Sequence, residues 1–265
     1  MTPSPLYRPE NIDSPSFKLR YTWTGWPSTG SFPPQPDQSF FDTLADTWET
    51  DGIRLLEKHW QPDKLQFTCS VRPTMASTLF TARVKARLQY ALRNAGTRIE
   101  FSRKVAFRSL GENKREQVEG YIANQVAKAQ FIDPRFAELI ARYTQVNNYV
   151  SLREPTATNR GRYWYDLHLV LVTEHRERFV DEVSLNRIKE VCEKNAQKKG
   201  YLLGSISVMP DHVHLALRGN VEETPESIAL GFMNNIAFVF GQQPVLRPGY
   251  YVGTFGEYDM GAVRR

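Results

Sequence analysis

The chain has 265 residues, 41% of them hydrophobic and 24% charged, enough to bury one large core or two modest ones and unlike disordered or collagen-like sequence. No apolar run approaches the roughly 18 to 20 residues a membrane helix needs, and the polar opening MTPSPLYRPENIDSPS has no apolar stretch behind a basic one, so a soluble cytoplasmic protein is expected. Lys and Arg (34) outnumber Asp and Glu (29), and the formal charge of +5 suits a polyanionic partner without requiring one.

FKLRYTW (17–23) reads as a strand, and FFDTLADTWETDGIRLLEKHW (40–60) carries apolar residues at helical spacing. LQFTCSVRP (65–73) reads as a strand that stops at Pro73, a residue unable to donate to a ladder. An amphipathic helix over 78–94 follows, then the strand RKVAFRSLG (103–111) and a helix through REQVEGYIANQVAKAQ. FIDPRFAELIARYTQV (131–146) is expected to hold a short helix after Pro134, and NNYVSLREPTATNRGR is rich in turn formers. YDLHLVLV (165–172) is the next strand, and SLNRIKEVCEKNAQKKG (184–200) a helix opened by a Ser cap and closed by a Gly. LGSISVMPD (203–211) is a strand ending beside Pro210, followed by a helix over 225–240 and the strand PGYYVGTFG (248–256). Cys69 and Cys192 lie far apart, outside any C-x-x-C or Cys/His cluster, and read as small buried hydrophobes.

These elements suggest an internal repeat. Matching Pro73 to Pro210 and Gly111 to Gly256 gives each half the order strand, helix, strand, strand, helix, strand. That order is the split βαβ arrangement of ferredoxin-like folds, so the expected class is α+β: two such halves with antiparallel sheets forming an intramolecular pseudo-dimer. The boundary is expected at 150–160, dividing the chain into residues 1–150 and 151–265.

Closely spaced metal-ligand types occur at Met209-Pro210-Asp211-His212-Val213-His214-Leu215. If this is a strand, His212 and His214 point to one face and Val213 packs behind them, so that two neutral imidazoles converge on a divalent ion. The same pattern also fits two surface histidines on a sheet face. Asp211 is a further ligand or a cap for the turn after Pro210.

The segments YDLHLVLVTEHR, SISVMPDHVHLAL and PGYYVGTFGEYDMGAVRR resemble the single-tyrosine HUH transposases, the small insertion-sequence transposases and their repeat-associated relatives. The resemblance covers about residues 163–265, and reaches 17–128 through the repeat alone. It implies a divalent metal, Mg²⁺ or Mn²⁺, held by His212 and His214, and a downstream helix carrying Tyr-Ile-x-x-Gln whose tyrosine attacks a DNA phosphate and whose Gln also reaches the metal. Ten residues past Gly111 stands Tyr121, in Gly120-Tyr121-Ile122-Ala123-Asn124-Gln125. The equivalent position after Gly256 falls beyond Arg265. Aligning Pro73 with Pro210 sets Met75 and Ser77 where His212 and His214 stand, so the first half keeps the nucleophile and the second the metal ligands. Residues four apart share a helical face, so Tyr121 and Gln125 could reach one ion. In the family, active sites are shared across the dimer, and the expected outcome is one composite site per chain.

The resemblance implies cleavage and transfer of single-stranded or hairpin DNA through a 5′-phosphotyrosine and a free 3′-hydroxyl, without ATP, by a transposase or domesticated transposase acting as a monomeric pseudo-dimer. No G-x-x-x-x-G-K-[ST] loop is found, in keeping with that. Tyr250 and Tyr251 in a strand and Tyr258 in the turn after Gly256 are competing nucleophiles. Arg83, Lys85 and Arg87 with Tyr90, and Arg103, Lys104 and Arg108 with Phe107, are candidate DNA contacts or ordinary solvated faces. The alternative function is a catalytically silent DNA-hairpin binder.

Overall fold

The structure is a computed structural model that describes residues 4–13 and 15–256. Its elements in chain order are β1 (Ser16–Lys18), β2 (Arg20–Pro27), α1 (Gln38–Thr50), β3 (Ile53–Trp60), β4 (Leu65–Val71), α2 (Ser77–Asn94) and β5 (Phe101–Leu110). There follow α3 (Arg115–Ala123), α4 (Gln125–Ala129), α5 (Pro134–Ala141), β6 (Thr144–Val146), β7 (Thr156–Thr158) and β8 (Gly161–Trp164). The chain continues through β9 (Asp166–Thr173), α6 (Glu182–Lys199), β10 (Leu202–Met209), β11 (His212–Arg218), α7 (Pro225–Val239) and β12 (Leu246–Thr254). Among the described residues no helix is long and apolar enough to cross a membrane.

Two six-stranded sheets result, β3-β4-β2-β5-β8-β7 and β1-β12-β9-β11-β10-β6. The quartets β3-β4-β2-β5 and β10-β11-β9-β12 are wholly antiparallel and have the same order, that of the split βαβ fold. The α+β class is as expected, with α1 and α2 over the first sheet and α6 and α7 over the second. Trp23, Trp48, Phe67, Phe80 and Phe107 fill the first core, whereas the second is more aliphatic, with Leu169, Leu171, Leu215 and Leu217 from β9 and β11.

The predicted helix over 40–60 is two elements. Asp37 caps α1, accepting from the Phe40 amide at 3.0 Å, but Gly52 at φ +77° turns the chain out of the helix, and Ile53–Trp60 runs on as β3. Ile53 and Leu55 alternate correctly for a strand, a pattern that helical spacing hid. The first hairpin is therefore β3-β4, and β4 is the counterpart of β11, not of the strand before Pro210. The Pro73–Pro210 match fails with it: Met75 is buried beyond the end of β4, and Ser77 opens α2 with its hydroxyl on the Val221 carbonyl at 2.8 Å. Register places Gln66 where His214 stands, each paired to the corresponding residue of the first strand, Thr24 and Val170. Two residues before Gln66 lies Lys64, the counterpart of His212. The first half still lacks the histidine pair. At α6 the cap is Asp181, which accepts from the Ser184 amide at 2.8 Å, while Gly200 closes the helix at φ +70° as expected.

The segments around 150–160 do not divide cleanly between the sheets. β6, before it, pairs with β10, whereas β7 and β8, at and after it, extend the first sheet through β5. The chain thus crosses between the two sheets and back. The matched glycines sit at the crossing. A Cβ on Gly111 would stand 2.3 Å from the Thr254 carbonyl oxygen, and one on Gly256, at φ +144°, would stand 2.6 Å from that of Ser109. Each strand end hands a hydrogen bond to the other half: Ser109 Oγ accepts from the Asp166 amide at 3.1 Å, and Thr254 Oγ1 from the Arg20 amide at 2.9 Å.

Beyond Gly111 the chain leaves the first sheet, and α3 lies on the second. Val118 and Ile122 pack with Leu152, Ala216 and Phe255. At its start the Arg115 guanidinium lies 3.5 Å from the buried Asp166 carboxylate, which Arg218 holds through Nε at 2.8 Å and Nη2 at 3.1 Å. Arg218 also donates to the Leu152 and Glu154 carbonyls. Burial pushes the Asp166 carboxyl up and the two guanidiniums oppose that. With Arg218 1% exposed, Asp166→Ala should cost about 3 to 5 kcal/mol by leaving a buried cation uncompensated. Urea denaturation measures it; a loss below about 1 kcal/mol would contradict the arrangement.

Candidate active site

β11 begins at His212, and pleating sends His212, His214 and Ala216 to the face that α3 covers. Val213 is buried on the opposite, helix-packed face, as expected. His212 and His214 are close, their ring centroids 4.8 Å apart and their planes nearly perpendicular. Tyr121, on α3, meets this pair edge to face, its ring centroid 5.4 Å from that of His214. The tyrosine that follows the first sheet and the histidines of the second sheet are in contact within one chain.

A third imidazole belongs to the group. His168 on β9 lies opposite Ala216, and its Nε2 is 3.1 Å from His214 Nδ1. Its ring stacks on that of His214 at 5.3 Å and stands 6.1 Å from Tyr121. His168, within YDLHLVLV, has no second histidine at His-x-His spacing to mark it; its place on the same sheet face follows from pairing. Burial, above all, holds His168 down to about 4 and His214 down to about 2, the latter also through the nearby charges of His168, His212 and Lys128. Both rings are therefore neutral across the physiological range.

The remaining nitrogens have partners that set their roles. His212 Nδ1 lies 2.6 Å from Asp211 Oδ1, and Arg176 donates to Asp211 Oδ2 at 3.0 Å. Burial works against the Asp211 carboxylate, but these bonds hold it below its ordinary value. Asp211 thus orients His212, and its backbone carbonyl accepts from the Thr173 amide at 3.0 Å. With each Nδ1 engaged, Nε2 is the nitrogen that His212 and His214 have left. Gln125 is buried at the start of α4, where its Nε2 donates back to the Tyr121 carbonyl at 3.1 Å. Helical geometry is loosened there, since Asn124 separates α3 from α4. Gln125 therefore shares a turn with Tyr121 without contributing to the cleft wall. Among the described residues no three His, Cys, Asp or Glu side chains converge as a metal-holding group.

The cleft over this face is lined by Tyr121, Asn124, Lys128, His168, His214 and Tyr251. Lys128 Nζ sits 3.9 Å from the Tyr121 ring centroid, so the cleft carries a cation beside the phenol. Of the competing tyrosines, Tyr250 is 1% exposed on the core face, with its hydroxyl 3.4 Å from Glu226. Tyr251 does share the cleft, its ring 5.9 Å from His168, with burial raising its phenol. Its side chain lies across Gly253, where a Cβ would stand 2.4 Å from the Tyr251 hydroxyl. Tyr258 lies outside the described residues.

The basic and aromatic clusters fare unevenly. Phe107 is wholly buried; Arg83 and Arg87 pair with Asp51 at 3.4 and 3.0 Å, and Lys85 donates to the Ser102 carbonyl at 2.8 Å. Tyr90 is exposed on α2, and Arg108 stacks on Trp164 with 3.7 Å between guanidinium carbon and ring centroid.

No curated protein matches the chain. Among solved structures, the chain is similar to a crystal structure from Deinococcus radiodurans R1 that bears the transposase name, at 24% identity and a TM-score of 0.29 over 37% of this chain and 82% of that one. Residues 162–265, which hold all three imidazoles, match the family model described as transposase, IS200-like.

Proposed function

We propose that the chain cleaves and rejoins single-stranded or hairpin DNA through a phosphotyrosine on Tyr121, at one composite centre per chain. The observation that carries this reading is the contact of Tyr121, from the helix after the first sheet, with His214 of the second, at 5.4 Å between ring centroids. A merely structural tyrosine would bury its ring in the core; that of Tyr121 is 42% exposed at a cleft.

The donor set fits a divalent cation of the Mg²⁺ or Mn²⁺ type: His212 and His214 each have Nε2 left over, and substrate phosphate oxygens would complete the shell. When bound, such an ion supplies Lewis-acid polarisation of the scissile phosphate. The rest belongs to the chain. Asp211 and His168 set the tautomers of His212 and His214, so neither ring reorients when substrate enters. Lys128 places positive charge where phosphate oxygens would lie. Tyr121 Oη forms the new P–O bond while the bond to the 3′ oxygen breaks; the phenolic proton is given up and the 3′ oxygen gains one, leaving a 5′-phosphotyrosine. Because the diester's energy is kept in that linkage, the 3′-hydroxyl of another strand can reverse the step without ATP.

The competing reading, a silent DNA-hairpin binder, is favoured by one observation: among the described residues no three His, Cys, Asp or Glu side chains are arranged to hold one metal ion. Incubating the protein with a labelled hairpin and Mn²⁺ and running a denaturing gel separates the two. An adduct is expected, lost in Tyr121→Phe and reduced at least about 100-fold in His212→Ala. A native-gel shift that never yields an adduct would support the binder.

The two residues that orient His212 and His214 have their own readout. His168→Gln and Asp211→Asn should each weaken Mn²⁺ binding about 10- to 100-fold while the fold is kept, as measured by paramagnetic resonance of free Mn²⁺. Unchanged affinity in both variants would remove the metal-holding role from the imidazole pair.

A further inference from the structure

The first sheet carries a second cleft, away from the tyrosine, over β2, β5, β7 and β8. Its floor is made of small residues, Ala106, Ala157 and Gly161. Trp26, near one end of β2, and Trp164, at the end of β8, stand on opposite sides of that floor, both half-buried. Lys104, Arg108 and Arg162 rise from the same sheet face, and among the described residues that line the cleft none is acidic. Their grouping follows from register: β8 pairs parallel to β5 with Ala106 against Arg162 and Arg108 against Trp164, so the odd face of each strand goes into the core and the even face into the cleft. Phe107 and Tyr163, the intervening pair, stack inward at 5.6 Å.

Two features distinguish this from an ordinary solvated face. Lys104 and Arg162 are exposed and make no ion pair among the described residues, unlike Arg83 and Arg87 on α2. The Trp164 indole is held in place, its Nε1 donating to the Arg153 carbonyl at 2.8 Å and its ring face meeting the Arg108 guanidinium at 3.7 Å. Fixed aromatic planes beside the exposed Lys104 and Arg162 are complementary to one ligand class, an unpaired strand, whose bases offer flat faces and whose phosphates offer charge. A duplex keeps its bases stacked and cannot use the indoles.

We infer that Trp26, Trp164, Lys104, Arg108 and Arg162 form a second DNA-binding platform, on the first sheet, that holds an unpaired segment of single-stranded DNA while the tyrosine cleft acts elsewhere on the strand. The inference rests on the reading of the chain as a DNA enzyme for its setting, but its test does not depend on catalysis. The strand backbone follows the cations, and the indoles stack on its bases.

The experiment is fluorescence anisotropy of a labelled oligothymidylate in metal-free buffer, with a labelled duplex alongside. Trp26→Ala/Trp164→Ala should weaken oligothymidylate binding about tenfold or more, each stacked base being worth that order. Lys104→Gln/Arg162→Gln, exposed substitutions that spare the core, should reduce the log–log salt slope by about 1.4, or about 0.7 per phosphate released. Duplex binding should change less than twofold in either variant. Oligothymidylate binding unchanged in both, or weakened equally for duplex, would overturn the platform. Adduct formation at saturating hairpin is read in parallel: if wild-type protein forms none, the enzymatic reading fails while the platform is still judged on the anisotropy alone.

Discussion

The arrangement depends on one buried carboxylate. Asp166 begins β9, the central strand of the second sheet, and is shared by Arg218 from β11 and Arg115 from the first turn of the tyrosine helix. A carboxylate this deep is tolerated only with its charge matched, so the helix start is pulled to the second sheet and held there. Val118 and Ile122 then lay the helix on Ala216, and the next turn brings Tyr121 over His214. The distance between nucleophile and imidazoles is thus set by packing well away from the cleft.

The same logic explains how two sheets of equal topology came to have unequal chemistry. Gly111 and Gly256 meet across the junction with reciprocal bonds from Ser109 and Thr254, so each strand end is built into the opposite half. With geometry supplied equally from both sides, only side chains decide which face can act. The second sheet presents His168, His212 and His214; the corresponding positions of the first carry Thr22, Lys64 and Gln66. Thr22 and Thr68 hydrogen-bond each other there at 3.1 Å, which suits a sheet face and offers no ligand. The first sheet instead carries cations and indoles along β2, β5 and β8.

Much of this was legible in the residues. Alternation revealed the long strands, the His-x-His spacing picked out the face that Tyr121 meets, and counting from the two glycines found Tyr121. What failed did so for physical reasons. Helical and strand periods coincide over short apolar runs, so β3 was absorbed into α1 and Gly52 was not recognised as the break. That error moved the first hairpin and made Pro73 a false anchor. His168 could not be seen because a residue from another strand joins a site through pairing, which leaves no local mark. Gln125 fell on the expected turn, but sequence spacing says nothing of rotamer, and its amide folds back on the Tyr121 carbonyl. Phe107 was grouped with its basic neighbours although pleating turns it inward, and Trp26 and Trp164 take the outward places.

The central claim is that tyrosine and imidazoles of one chain work together. It is tested most directly by mixing two inactive variants, Tyr121→Phe and His212→Ala, each verified as folded, with labelled hairpin DNA and Mn²⁺. A site completed within each chain predicts that the mixture forms no more covalent adduct than the variants do separately. Adduct recovered in the mixture, approaching that of wild-type protein, would show that the helix of one chain serves the histidines of another and would contradict the account.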